Sequence, residues 1–70
     1  MEAIVENKVN EYRTKKGMTQ EELAVAVGVT RQTIISIEKG NYTPSVSLAL
    51  RFAKVFKVSV ENIFSLQYEK

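Results

Sequence analysis

The chain has 70 residues, with ten Lys or Arg against eight Glu and a formal charge of +2, which is one domain near the lower limit for a core without staples. It has no cysteine, histidine or aspartate, so disulfides, thiolate or histidine metal sites and a Ser-His-Asp triad are excluded, and no enzyme activity, cofactor or metal is expected. No apolar run approaches the roughly 20 residues that span a bilayer, and Met1-Glu2 lacks the basic start of a signal peptide, so no membrane partner and a cytoplasmic location are the expectation.

In chain order, Ala3, Ile4 and Val5 are short and partly β-branched. Asn7 suits the cap of a first helix whose inward positions are Val9, Tyr12 and Arg13, with Gly17 as its stop after Lys15 and Lys16. Thr19 is a good N-cap and Glu22 completes a capping box, so a second helix opens at Gln20. Leu23, Ala24 and Val27 form its apolar stripe, and Gly28 can take the left-handed conformation that ends it. Thr30 caps a third helix over Arg31–Glu38, where Ile34 and Ile37 point inward and Arg31, Gln32, Thr33 and Ser36 point out. Val25, Ala26 and Ile35 are apolar at places expected to be exposed; scattered singly, they need no explanation.

Gly40 to Ser45 holds the one proline and reads as a loop, with Ser45 as the next cap. Val46, Ala49, Leu50, Ala53 and Phe56 recur at helical spacing, so a fourth helix should run to about Phe56. Ser59 caps a short fifth helix through Val60, Ile63 and Phe64. Phe64, Leu66 and Tyr68 alternate with Ser65 and Gln67, which is a strand pattern. Two readings of the ends compete. Residues 3–6 and 65–68 pair as an antiparallel β-ribbon, or Ile4 and Val5 extend the first helix, since Val5, Val9 and Tyr12 also keep helical spacing. The ribbon is favoured because both ends carry strand-like residues.

Residues 20–38 thus have the spacing of a helix-turn-helix, in which the second helix enters the major groove of DNA. Arg13, the run Thr19 to Ala24, the run Gly28 to Ile34, the run Ile37 to Gly40 and Thr43-Pro44-Ser45 together carry a resemblance to the phage-repressor and Cro-like helix-turn-helix regulators. It extends from Asn7 to Phe64 and is strongest toward the small stand-alone bacterial and archaeal members. The resemblance implies an all-α, five-helix lambda-repressor-like domain occupying the whole chain, with the terminal ribbon that some of these small regulators have. Lys57 stands where that family usually has glycine, which predicts a mildly strained left-handed residue.

The resemblance also implies the site. Arg31 and Gln32 are candidates to fork onto guanine and adenine edges, with Thr33 and Ser36 one turn apart adding shorter contacts. Gln20, on the first turn of its helix, is a candidate phosphate clamp, and Thr30, Lys39, Asn41, Tyr42 and Arg13 are further phosphate candidates. For each, a merely solvated surface residue is the competing reading. Tyr42 has packing on Pro44 as a second alternative. Arg13 and Glu38 are expected to form a mainly structural ion pair beneath the DNA-facing surface. The small net charge is expected to be polarised, with Lys15, Lys16, Arg31 and Lys39 toward DNA and Glu2, Glu6, Glu61 and Glu69 toward the termini.

The expected function is sequence-specific binding of double-stranded DNA by a transcriptional repressor. One reading helix covers few base pairs, so a homodimer on a two-fold operator is expected, through Leu48, Val60, Phe64, Leu66 and Tyr68. The alternative is a protein-interaction module, such as an antitoxin or accessory subunit, built on the same fold.

Overall fold

A computed structural model describes residues 3–68, so Glu2 and Glu69, and the Met1-Glu2 start, lie outside the described residues. The elements run β1 (Ala3–Asn7), α1 (Val9–Lys15), α2 (Gln20–Val27), α3 (Arg31–Glu38), α4 (Val46–Phe56), α5 (Val60–Ile63) and β2 (Phe64–Tyr68). The ribbon, rather than a longer first helix, forms at the ends. β1 and β2 pair antiparallel, from Ala3 opposite Tyr68 to Asn7 opposite Phe64.

Local chemistry sets the helix boundaries. At α2 the Thr19 hydroxyl accepts from the Glu22 amide at 3.0 Å and the Glu22 carboxylate accepts from the Thr19 amide at 2.8 Å. Its end is closed by Gly28 at φ 78°, where the Gly28 and Val29 amides both donate to the Ala24 carbonyl at 2.9 Å. Thr30 and Ser45 cap α3 and α4 by accepting from the amides of Thr33 and Leu48. Lys57 takes the left-handed conformation at φ 58° and stops α4 without a glycine.

Two caps differ from expectation. Ser59 precedes α5 but its hydroxyl makes no capping bond, and the N-cap position of α1 is Lys8, without a side-chain cap, while Asn7, expected there, lies one residue earlier at the end of β1 and accepts from the Val9 amide at 3.1 Å. Phe64, expected in the fifth helix, starts β2 instead.

The core is one cluster that includes Val9 of α1, Leu23, Ala24 and Val27 of α2, Ile34 and Ile37 of α3, Leu48, Phe52 and Phe56 of α4, and Ile63 of α5. Each helix alone would leave its stripe in water; together the buried stripes supply the apolar burial that holds a small domain. In α4 part of the row read in the sequence turns inward, with Ala49 and Phe56 buried and Ala53 packed on the core, but the buried face is shifted. Val46 is 76% exposed and Leu50 also faces solvent, whereas Leu48 and Phe52 are buried. Apolar residues lie nearly all around this helix, and ring packing decides which face turns in. Phe52 stacks on Phe56 with centroids 6.1 Å apart and meets Phe64 at 6.0 Å, and Tyr12 stacks on Phe56 at 5.6 Å. Leu48, expected on a dimer surface, is therefore a core residue with 5% exposure.

Candidate nucleic-acid interface

α3 buries Ile34 and Ile37 and turns its other face outward, with Arg31 and Gln32 exposed and Thr33 and Ser36 half-buried. After Lys39 the chain turns at Gly40, φ 82°, and folds back so that the Asn41 amide donates to the Ser36 carbonyl at 2.9 Å. The result is one open groove lined by Thr30, Gln32, Thr33, Ser36, Asn41 and Tyr42. Six residues that sequence reasoning proposed for DNA contact thus share one surface. The Thr30 and Thr33 hydroxyls lie 3.1 Å apart and Thr30 also holds the Thr33 amide, which fixes the start of the helix.

Beside it, Arg31 faces the first turn of α2 across a second open cleft lined also by Arg13, Thr19, Gln20 and Glu21. The first amides of α2 have no carbonyl partner within the helix, and the helix dipole favours an anion there. Lys39 lies apart from both, in a groove with Glu38, Gly40 and the β1 residues Ile4 to Asn7.

Beneath this surface Glu38 ties three helices together. Arg13 donates to it through Nε at 2.7 Å and Nη2 at 3.3 Å, Asn10 Nδ2 at 3.0 Å and Gln20 Nε2 at 3.2 Å. Arg13 Nη1 donates to the Met18 carbonyl at 2.8 Å, and the Arg13 and Glu38 side chains retain only 12% and 7% exposure. Three bonds hold the Arg13 guanidinium within the protein, which makes its place chiefly structural. Burial opposes ionisation of Glu38. The hydrogen bonds from Arg13, Asn10 and Gln20, with the Arg13 charge, outweigh it and hold the carboxyl below its ordinary value.

Sequence reasoning missed Asn10 on Glu38 and also Arg51. Arg51 Nη1 donates to the Val27 carbonyl at 3.1 Å and Nη2 to Ser47 Oγ at 3.1 Å, so α4 supplies a cation to the C-terminal end of α2, at the turn before the reading helix. Ser47 lies one helical turn from Arg51, but nothing in the sequence near Arg51 ties it to residue 27.

Of the residues expected at a dimer surface, Leu66 is 56% exposed and Tyr68 58%, while Phe64 and Val60 are half-buried and Phe64 packs on the core. Val5, Glu61, Phe64, Ser65 and Leu66 line a mostly apolar hollow there. Among the described residues no helix is long and apolar enough to cross a membrane, and no cluster of acidic side chains is arranged to hold a metal ion.

The helix-turn-helix family model matches residues 9–63. An uncharacterised HTH-type transcriptional regulator of Bacillus subtilis (strain 168), YgzD, is 49% identical over 65 residues, covering 93% of this chain and 98% of its own. The cryptic phage CTXphi transcriptional repressor RstR of Vibrio cholerae is 29% identical over 59 residues, 84% of this chain and 53% of the repressor. Among solved structures, the restriction-modification controller protein C.AhdI of Aeromonas hydrophila superposes with a TM-score of 0.73 at 29% identity, over 79% of this chain and 83% of that one.

Proposed function

Because this chain belongs to the Cro/repressor-like helix-turn-helix family of DNA-binding transcriptional regulators, we propose that it reads a specific duplex sequence as a homodimeric repressor. The groove formed by α3 and the loop after it carries this reading: Thr30, Gln32, Thr33, Ser36, Asn41 and Tyr42 are hydrogen-bonding side chains on one open surface, with Arg31 at its edge. Arg31 and Gln32 meet base edges, Thr33 and Ser36 add shorter contacts, and phosphates dock at Gln20 and Thr30 and along Asn41 and Tyr42. Arg13 contributes to phosphate binding only by holding this surface in place.

Repression is supported by the likeness to a phage repressor. A dimer is supported by the apolar ribbon, where Leu66 and Tyr68 stand in water and Leu66 lines a mostly apolar hollow with Val5 and Phe64; Val60 of the expected contact set is half-buried on α5. Selection of bound sites from random duplex DNA tests binding, two-fold symmetry and half-site spacing together. Titration of selected against scrambled duplex at two salt concentrations then separates specific from purely electrostatic binding. Equal affinities for the two duplexes would overturn sequence reading, and a monomer bound to a single half-site would overturn the dimer.

A further inference from the structure

Asn7 joins two parts of the molecule that are 30 residues apart in sequence. Its Nδ2 donates to the carbonyl of Ile37, in the last turn of α3, at 2.9 Å, and its Oδ1 accepts from the Val9 amide at 3.1 Å. The last four carbonyls of a helix lack partners within it. The Ile37 carbonyl therefore takes one donor from the Gly40 amide at 2.9 Å and a second from the side chain of a strand. That strand is anchored where it meets Asn7. Asn7 pairs with Phe64, which packs on the core, and the next amide, Lys8, donates to the Ile63 carbonyl at 2.8 Å.

On the following residue, Glu38 grips α1 and α2 through Arg13, Asn10 and Gln20. The C-terminal turn of α3 is consequently fixed by two attachments: a carboxylate that reaches the other helices and a carbonyl held by the ribbon. We propose that Asn7 is a positioning residue for DNA reading, locking the last turn of α3 to the terminal ribbon so that the ribbon sets the pose of the reading helix. The inference rests on the assignment of α3 as the DNA reader.

Asn7 serves two helices with different atoms, and the two services are separable. Serine at position 7 still offers an acceptor for the Val9 amide but is too short to reach the Ile37 carbonyl, whereas alanine abandons both. Asn7→Ser should therefore melt a few degrees below the parent, by the worth of the bond to Ile37, and Asn7→Ala lower still. In Asn7→Ser, affinity for the selected duplex should fall about fivefold, because the unlocked last turn of α3 meets the bases in a less fixed pose, with affinity for scrambled duplex unchanged. The base-by-base profile should flatten at the positions read by the C-terminal half of α3, nearest Ser36. A purely structural role would lower the melting temperature and both affinities in parallel, and that result would overturn the inference. A parent chain that binds both duplexes equally would remove the DNA-reading premise and this inference with it. A discriminating parent beside an equally discriminating Asn7→Ser chain would overturn this inference alone.

Discussion

The outer row of α3 and the outer row of the ribbon differ in what water does to them. Arg31, Gln32, Thr33 and Ser36 are hydrogen-bonding groups with little to lose in solvent, and they need a ligand that offers matching edges. Leu66 and Tyr68 lie on one ribbon face, more than half exposed, and leaving apolar surface there is unfavourable by roughly 25 cal/mol per Å². One region is built to exchange hydrogen bonds, the other to be covered. Between them lie the Arg13–Glu38 pair and Asn7, which carry no exposed chemistry and hold the two regions in register.

The connecting layer should give the largest effect. Arg13→Ala leaves Glu38 with a buried charge and only the neutral donors Asn10 and Gln20, and it should lower stability by about 3 kcal/mol. Arg13→Met combined with Glu38→Leu should restore much of that, since no charge is then stranded. Denaturant melts of the variants provide the check; a single variant as stable as the parent would mean that the pair holds nothing.

Next comes the reading face. Arg31→Ala should cost about 1–3 kcal/mol of specific affinity and relax preference at one base of each half-site, because a forked donor is lost from the first turn of α3. Affinities measured base by base would show it. If the profile and the affinity both survived with the fold intact, the polar row would lose its claim as a reader and the protein-partner alternative would gain.

Much of the reading side was legible because its signals are local. The capping box of Thr19 and Glu22, the left-handed Gly28 and the cap at Thr30 lie within a few residues of what they control, so the bounds of α2 and α3 follow from them. The phase of α4 was not legible in the same way. The expected row Val46, Ala49, Leu50, Ala53 and Phe56 and the buried set Leu48, Ala49, Phe52 and Phe56 share Ala49 and Phe56, and the stacking of Phe52 on Phe56 and against Phe64 separates what remains. The bond from Asn7 to Ile37 was invisible for a related reason: the sequence around Asn7 announces a cap for α1 and nothing about a carbonyl 30 residues away.

The ribbon face should respond more mildly than the reading face. Leu66→Ala removes part of an apolar side chain at the proposed contact and should weaken self-association by about 1 kcal/mol per protomer while leaving the monomer's melt nearly unchanged. Sedimentation equilibrium distinguishes this from a folding defect, and an unchanged dimer constant would move the interface elsewhere. Smaller still is the pH dependence of the connecting layer. The folded pKa of Glu38 is depressed, so its contribution to stability is complete above the unfolded value of roughly 4.3 and disappears as pH falls through the folded value. Urea midpoints at neutral pH and near pH 3 should therefore drop further for the parent than for Glu38→Gln. Equal drops would place the acid sensitivity on other carboxylates.

Lys39 belongs to neither region cleanly, which makes it the sharpest small probe of the boundary between them. It follows the last turn of α3, is exposed, and lines a groove with β1 rather than the groove that gathers Gln32, Ser36 and Tyr42. A flexible ammonium there can meet a phosphate but has no base edge within the reading groove, so it should contribute charge without sequence. Lys39→Ala should weaken selected and scrambled duplexes alike and reduce the salt slope by about 0.9 per site, with the base profile unchanged. If the slope is unaltered, the backbone footprint ends before Lys39, and the groove it shares with β1 belongs to the ribbon side of the molecule.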